Sequence, residues 1–211
     1  MAGFWETVGA IGLGIGSLFG VRSGTEEPKY TVVEQVGQLE IRHYGPRIAA
    51  EATGSGNEEA ARNDGFRKVA GYIFGDNQSR TSVAMTAPVA QSRSQTISMT
   101  APVAQSTDSQ GGWRIQFFMP SQYTLASLPV PNDPAVRLVV VPPSDYAVLT
   151  YTGFTGAERV HQKTQILQTE LVASKWQATE APQAWFYDPP WTLPFMRRNE
   201  ISVSVSRKNP G

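Results

Sequence analysis

The sequence predicts an α+β protein: an antiparallel, barrel-like sheet carrying two long helices, in two pseudo-twofold related halves. Three observations predict it. Short segments of alternating apolar residues outnumber the helical ones and follow one another through short turns. No glycine-rich phosphate loop follows a strand, which argues against a parallel α/β sheet. The order strands, helix, strands occurs twice. At 211 residues, 40% apolar and 17% charged, the chain is long enough for one good core and too apolar for disorder.

The elements follow in order. Tyr30–Val36 and Leu39–Tyr44 read as strands joined around Gly37, and Arg47–Ala52 as a third. Asn57, followed by two acids, is a helix N-cap. The helix it starts runs from about Glu58 to Phe74, with Ala61, Phe66, Val69 and Ile73 as its apolar stripe, and Gly75 stops it.

Next, MTAPVAQS occurs twice without change, at Met85–Ser92 and Met99–Ser106. One isolated duplication is too little for a solenoid. Val83, Met85, Ala87 and Val89 alternate, as do Ile97, Met99, Ala101 and Val103, so each copy reads as a half-buried strand. The polar stretch Gln91–Thr96 turns the chain and pairs the copies as a hairpin. Pro88 and Pro102 cannot donate to a ladder and belong at an edge, a bulge or a strand end.

Trp113–Met119 is a further strand and Tyr123–Pro134 a proline-rich loop. The second half repeats the order. Val136–Val141 and Tyr146–Tyr151 are strands. Gly156–Trp176 is a helix with Val160, Thr164, Leu167 and Leu171 on one face. Ala184–Tyr187 and Ile201–Ser206 are strands separated by a Pro-Pro-Trp loop. A helix lying on a sheet in each half implies a pocket between helix and sheet.

Composition removes several function classes. The chain has no cysteine, which excludes disulfides, thiolate nucleophiles, iron–sulfur clusters and covalent c-type haem. His43 and His161 are its two histidines, too few for a multi-histidine metal site. Net charge is zero and no basic block is present, so nucleic acid is not an expected partner. No Ser-His-acid motif is visible, and Glu51, Glu158, Glu180 and Glu200 stand apart from one another.

Residues 1–24 form a glycine-rich apolar segment distinct from a single domain over 25–211. Val8–Val21 is apolar or glycine except at Ser17. It is short for a membrane span and lacks the basic start of a secretory signal. It reads as a surface or disordered tail, a membrane-associating segment or a cleaved signal. Arg22 and Lys29 would keep the domain cytoplasmic if it inserts; export is the alternative.

Four segments carry a resemblance. LEIRHYGPRIA (Leu39–Ala49), GFRKVAGYIFG (Gly65–Gly75), VAMTAPV (Val83–Val89) and YDPPWTLPFMRRNEISV (Tyr187–Val203) resemble, in that order, segments of the SOUL haem-binding proteins. The chain reads as a bacterial member of that family. The resemblance implies an antiparallel barrel-like sheet with two helices, shared with effector-binding domains of bacterial drug-responsive regulators. It also implies non-covalent binding of haem or related tetrapyrroles, for buffering or trafficking rather than catalysis.

Haem needs a flat apolar slot, cations for two propionates and, optionally, an axial ligand. Phe66, Val69 and Tyr72 on the first helix are candidates for the wall. Arg62, Arg67 and Lys68 are candidates for the propionates, with a solvated helix face as the alternative. The resemblance points to His43 as a possible axial iron ligand. Met85 and Met99 alternate as core or pocket lining, and Pro189, Pro190 and Trp191 suit a rigid loop over the pocket mouth. Arg197–Glu200 reads as a structural turn. At the family's spacing from the first helix, the first octapeptide copy is the family strand. The second is then an insertion that extends a hairpin beside the pocket. Two other readings remain: a hydrolase-like enzyme acting on a small hydrophobic ligand in the same cleft, and an envelope-associated interaction protein.

Overall fold

A computed structural model describes residues 25–54, 56–80, 94–107, 112–189 and 191–208. The first half contains β1 (Tyr30–Val36), β2 (Leu39–Tyr44), β3 (Arg47–Gly54), α1 (Glu58–Ile73), β4 (Asn77–Gln78), β5 (Val103–Thr107) and β6 (Trp113–Phe118). After β7 (Val130–Pro131) come β8 (Val136–Val141), β9 (Ser144–Tyr151), α2 (Ala157–Val172), β10 (Trp176–Ala178), β11 (Gln183–Phe186) and β12 (Asn199–Arg207). A 3-10 turn at Pro194–Met196 precedes the last strand.

The main sheet has the order β1-β2-β9-β12-β11-β5-β6-β3-β8, with β10 on the far part of β12, and every paired strand is antiparallel. The order from β2 to β8 reads the same from either end once β2 is matched with β8, β9 with β3, β12 with β6, and β11 with β5. That palindrome is the pseudo-twofold, and its axis falls between β5 and β11. The helices match too, at 16 residues each. The sheet stays open at β1 and β8, so it is barrel-like rather than a closed barrel.

Each helix covers its own part of one sheet face. The side chain of Asn57 accepts the Ala60 amide and starts α1. Val69, Tyr72 and Ile73 of α1 pack with Ala50, Ala52, Ile115 and Phe117. Gly65 lets the helix lie close, because a Cβ there would stand 2.6 Å from Ile115 Cγ1. Leu167 and Leu171 of α2 pack on Leu39, Ile41, Leu149, Ile201 and Val203. The opposite face of the sheet holds a third core, built from Tyr44, Phe118, Tyr146, Trp185 and Tyr187. Being covered on both faces explains why β12 is buried over seven successive positions.

The second helix is shorter than its pattern predicts. It ends at Val172, because Ser174 Oγ donates to Leu171 O (2.8 Å) and accepts the Trp176 amide (3.0 Å). These local bonds compete with the helix, and Trp176 instead opens β10 against Arg207. Two small strands, β4 and β7, pair with each other, β7 within the predicted loop Tyr123–Pro134.

The second octapeptide copy, expected as an insertion extending a hairpin beside the pocket, lies beside the cavity but supplies a central strand. Its residues Val103–Ser106 form most of β5, between β11 and β6 beside the pseudo-twofold axis. Pro102 sits just before the ladder, where its missing N–H leaves no gap. The first copy, with Met85, lies outside the described residues, as does the predicted hairpin's other arm.

Candidate binding cavity

A cavity of about 440 Å³ lies between the first turns of α1 and the sheet at the β5–β11 junction. That volume is within the range of small-molecule sites, about 300–1,000 Å³. Glu59, Arg62, Asn63 and Phe66 line it from the helix; Met99, Thr100, Ala101 and Val103 line it from the second octapeptide copy. Phe186 and Tyr187 continue the wall, Pro189 and Trp191 belong to the loop above it, and Thr25, Thr155, Asp188, whose carboxylate accepts the Arg198 amide at 2.7 Å, and Arg197 complete it. The lining is mainly apolar.

The helix places Arg62 and Phe66 one turn apart. Phe66 packs on Phe117 beneath it, ring centroids 5.1 Å apart. Arg62 donates to the Thr155 carbonyl at 3.4 Å and lies 5.8 Å from the Phe186 ring centroid. Arg197 Nε donates to the Thr192 carbonyl at 2.7 Å.

Tyr187 is held from behind. Its hydroxyl donates to Glu200 Oε2 at 2.6 Å, and the Arg198 guanidinium stacks 3.9 Å from its ring centroid. Glu200 is fully buried and also accepts from Arg42 Nη1 (3.0 Å), Arg198 Nη2 (2.9 Å) and Thr150 Oγ1 (3.2 Å). Burial, then the Glu200 charge, pushes the Tyr187 hydroxyl far above the ordinary tyrosine range. Burial opposes the charge on Arg42, but Glu200 beside it wins and holds the guanidinium more firmly protonated than usual. The Arg-Arg-Asn-Glu run thus divides its work. Arg198 and Glu200 build the support, and Arg197 reaches the cavity.

The structure brings together Arg62 and Phe66 of the expected site residues. Val69 and Tyr72 lie in the core under α1, the tyrosine hydroxyl donating to the Pro129 carbonyl at 3.0 Å. Arg67 is on the exposed face, 3.7 Å from Asp64. Lys68 pairs with Asp64 at 2.8 Å and donates to the Thr53 carbonyl. His43 is half exposed, with Nδ1 2.7 Å from Asp145 Oδ1, its cross-strand neighbour. It is not among the residues lining this cavity. Met85 lies outside the described residues.

Sequence reasoning did not select Phe186, Tyr187 or Arg197 for the site. The aromatic–Pro–Pro signature next to Tyr187 was the signal available for them. Met99 was readable only as core or lining.

A second, more polar hollow of about 890 Å³ lies on the other face of the sheet, with Glu51, Gln116, Arg137, Phe118 and Tyr146 among its walls. Glu51 accepts from Gln116 Nε2 (2.8 Å) and Arg137 Nη2 (2.9 Å). Among the described residues, no group of three or more His, Asp or Glu is placed to hold a metal. None of the described residues lining the first cavity is His, Ser or Cys. No helix among the described residues is long and apolar enough to cross a membrane.

The profile of the SOUL heme-binding protein family matches residues 25–204. A mouse (Mus musculus) protein named heme-binding protein 2 is 35% identical over 80 residues, 33% of this chain and 39% of that protein. Its human (Homo sapiens) namesake is 41% identical over 56 residues, 26% of this chain and 27% of that protein. The chain therefore spans well under half the length of these curated relatives. Among solved structures, the EcmrR C-terminal domain superposes with a TM-score of 0.55 at 10% identity, covering 85% of this chain and 99% of that one. A hydrolase from Listeria innocua superposes with a TM-score of 0.52 at 10% identity, covering 88% and 94%. At this identity the two structures speak for the fold.

Proposed function

The chain belongs to the SOUL haem-binding protein family, and we propose that it binds haem or a related tetrapyrrole non-covalently in the cavity between α1 and the sheet. The observation that carries the proposal is the composition of that cavity: apolar walls from Phe66, Met99, Phe186 and Trp191, with Arg62 and Arg197 on the same lining. A tetrapyrrole with propionates asks for a flat apolar slot and cations at its edge, and this donor set fits both. The iron is a lesser matter. Met99 supplies a thioether to the lining, and His43 stands outside it, so recognition rests on the macrocycle and its carboxylates.

We read the binding as holding rather than chemistry. The lining hydroxyls belong to threonines and Tyr187, and no histidine is among the described residues that line the cavity. A role in buffering or trafficking fits such a site. Titration of the full chain with haemin tests the proposal and should give a saturable one-to-one Soret change. Iron-free protoporphyrin, followed by its fluorescence, should bind within about tenfold of haemin, because no strong axial ligand is required. Absence of saturation with both would overturn the proposal.

A further inference from the structure

The sheet face turned away from the helices carries one row of paired residues that the pseudo-twofold maps onto itself. From β9 towards β3 it runs Thr150, Glu200, Trp185, Ala104, Gln116 and Glu51, each the cross-strand partner of the next. Each half thus places a glutamate in this row, and the two are treated differently. Glu200 is closed in by Arg42, Arg198, Thr150 and Tyr187. Glu51 is 6% exposed, yet among the described residues it accepts one bond per oxygen, from Gln116 at 2.8 Å and Arg137 at 2.9 Å. A carboxylate has about four acceptor positions. Two are therefore open on Glu51, which lies on the wall of the second hollow.

The rest of that wall supplies donors and an apolar floor. Gln183 is 8% exposed, and its Oε1 accepts the Trp185 indole at 3.2 Å, which leaves its NH2 group as a donor on the lining. Arg114 Nε donates to Ser106 Oγ at 3.2 Å, which leaves its terminal nitrogens. Phe118, Tyr146 and Val139 are the apolar part. The charges of the described lining cancel, Arg114 and Arg137 against Glu51 and Glu180. A wall of balanced charge with both donors and acceptors suits a neutral ligand that offers both in return, which is what a hydroxyl does.

We propose that this hollow is a second ligand site, separate from the tetrapyrrole cavity, and that it takes a neutral polyhydroxylated molecule, a sugar or polyol. Ligand hydroxyls donate to the open positions of Glu51 and accept from Gln183 and Arg114. The C–H face of the ligand lies on Phe118, Tyr146 and Val139. Water fills the same positions when the ligand is away, so binding exchanges like bonds for like and is weak to moderate. Arg47 does not turn the site towards anions. Its guanidinium lies over the rings of Tyr44, Phe118 and Tyr146, its nitrogens are buried, and it is not among the lining residues.

Nitrogen-15 NMR titration of the full chain tests the proposal. The neutral probes are glucose, galactose, mannose and sorbitol; glucosamine and glucuronate carry a positive and a negative charge on the same ring. At least one neutral probe should move the side-chain amide signals of Gln116 and Gln183 and saturate with a Kd of about 1–10 mM. Both charged probes should bind about tenfold more weakly than that neutral one. Glu51→Gln and Arg114→Gln should each weaken it about tenfold, the loss of a hydrogen bond to a charged group. Neither residue lines the first cavity, so both variants should titrate with haemin like the wild type, and the two sites stand or fall separately. The proposal is overturned if no neutral probe saturates by about 100 mM or if glucosamine or glucuronate binds as tightly as the best neutral probe. It is also overturned if either variant, folded with the wild-type thermal midpoint, binds that probe like the wild type. Arg114 is only half-buried, so its variant decides the matter should Glu51→Gln not fold.

Discussion

Glu200 is the residue whose loss should be felt most widely. Its carboxylate is fully buried and bonds Arg42, whose side chain is 3% exposed. Removing one member of a buried ion pair typically costs about 3–5 kcal/mol, mostly from the charge left behind. Here two features moderate the loss. Arg42 keeps Glu40 at 2.7 Å, and Arg198 keeps Glu27 at 2.9 Å. Two features add to it, because the Tyr187 and Thr150 hydroxyls lose their acceptor. Glu200→Ala should therefore fall near the lower end, about 3–4 kcal/mol. At about 2–4 °C per kcal/mol for a chain of this size, the midpoint should drop by about 6–16 °C. Urea unfolding of Glu200→Ala, Arg42→Met and the double variant measures it. The double should be less destabilised than the sum of the singles, with a coupling of about 1–3 kcal/mol. A Glu200→Ala loss below about 1 kcal/mol, or strict additivity within about 0.5 kcal/mol, would refute the network as described.

Further outcomes follow from the same geometry. Arg62→Ala and Arg197→Ala should each weaken protoporphyrin binding about tenfold if they pair with propionates, as read by fluorescence titration. His43→Ala should leave the haemin Soret band and affinity unchanged, since the half-exposed ring engages Asp145 outside the cavity; a shifted band would restore it as a ligand. Gly65→Ala should destabilise by about 1–3 kcal/mol through overpacking on Ile115, and Ile115→Val in that background should recover part of the loss in denaturant melts. Burial pushes Tyr44, Tyr72 and Tyr151 up to about 12. Their raised values mean that the stability they contribute is whole below the ordinary tyrosine value of 10 and is lost as pH rises towards 12. Alkaline titration should show tyrosinate absorbance from these three appearing only with loss of structure, and full ionisation near pH 10 in the folded protein would contradict it.

The strands were legible because alternation is a local signal, and α1 because Asn57 and Gly75 punctuate it. The end of α2 was not. Residues 173–176 continue a helical pattern, and Ser174 stops it through bonds that spacing does not display. The site was legible in part for a similar reason. A helix pattern separates a buried stripe from a wet one, but not which turn of the stripe faces a hollow. Phe66 meets the cavity, while Val69 and Tyr72, further along the helix, meet solid core. The remaining wall comes from Phe186 and Tyr187, far along the chain, which only the β5–β11 pairing brings near. Strand alternation placed His43 with Leu39 and Ile41, yet could not show that the cover of α2 ends between Ile41 and His43.

The duplicated octapeptide poses the sharpest limit on local reading. Eight identical residues carry identical strand propensity, so nothing inside them decides which copy becomes β5. The deciding contacts must lie in the flanks, and those of the second copy are specific. The Gln95 amide donates to Asn77 Oδ1 at 2.9 Å, and Asn77 Nδ2 returns a bond to the Gln95 carbonyl at 2.7 Å. The Ile97 amide donates to the Ile73 carbonyl at 2.8 Å, and its side chain is 1% exposed under α1. The equivalent flank of the first copy carries Thr81 and Val83 in place of Gln95 and Ile97. Threonine could make the backbone bonds to Asn77 but not the one that the Gln95 carboxamide donates to the Tyr123 hydroxyl at 3.2 Å, and valine is one methylene shorter, about 0.8 kcal/mol less buried apolar surface. The flanks thus favour the second copy for the central strand, and with it Met99 and Val103 for the cavity wall.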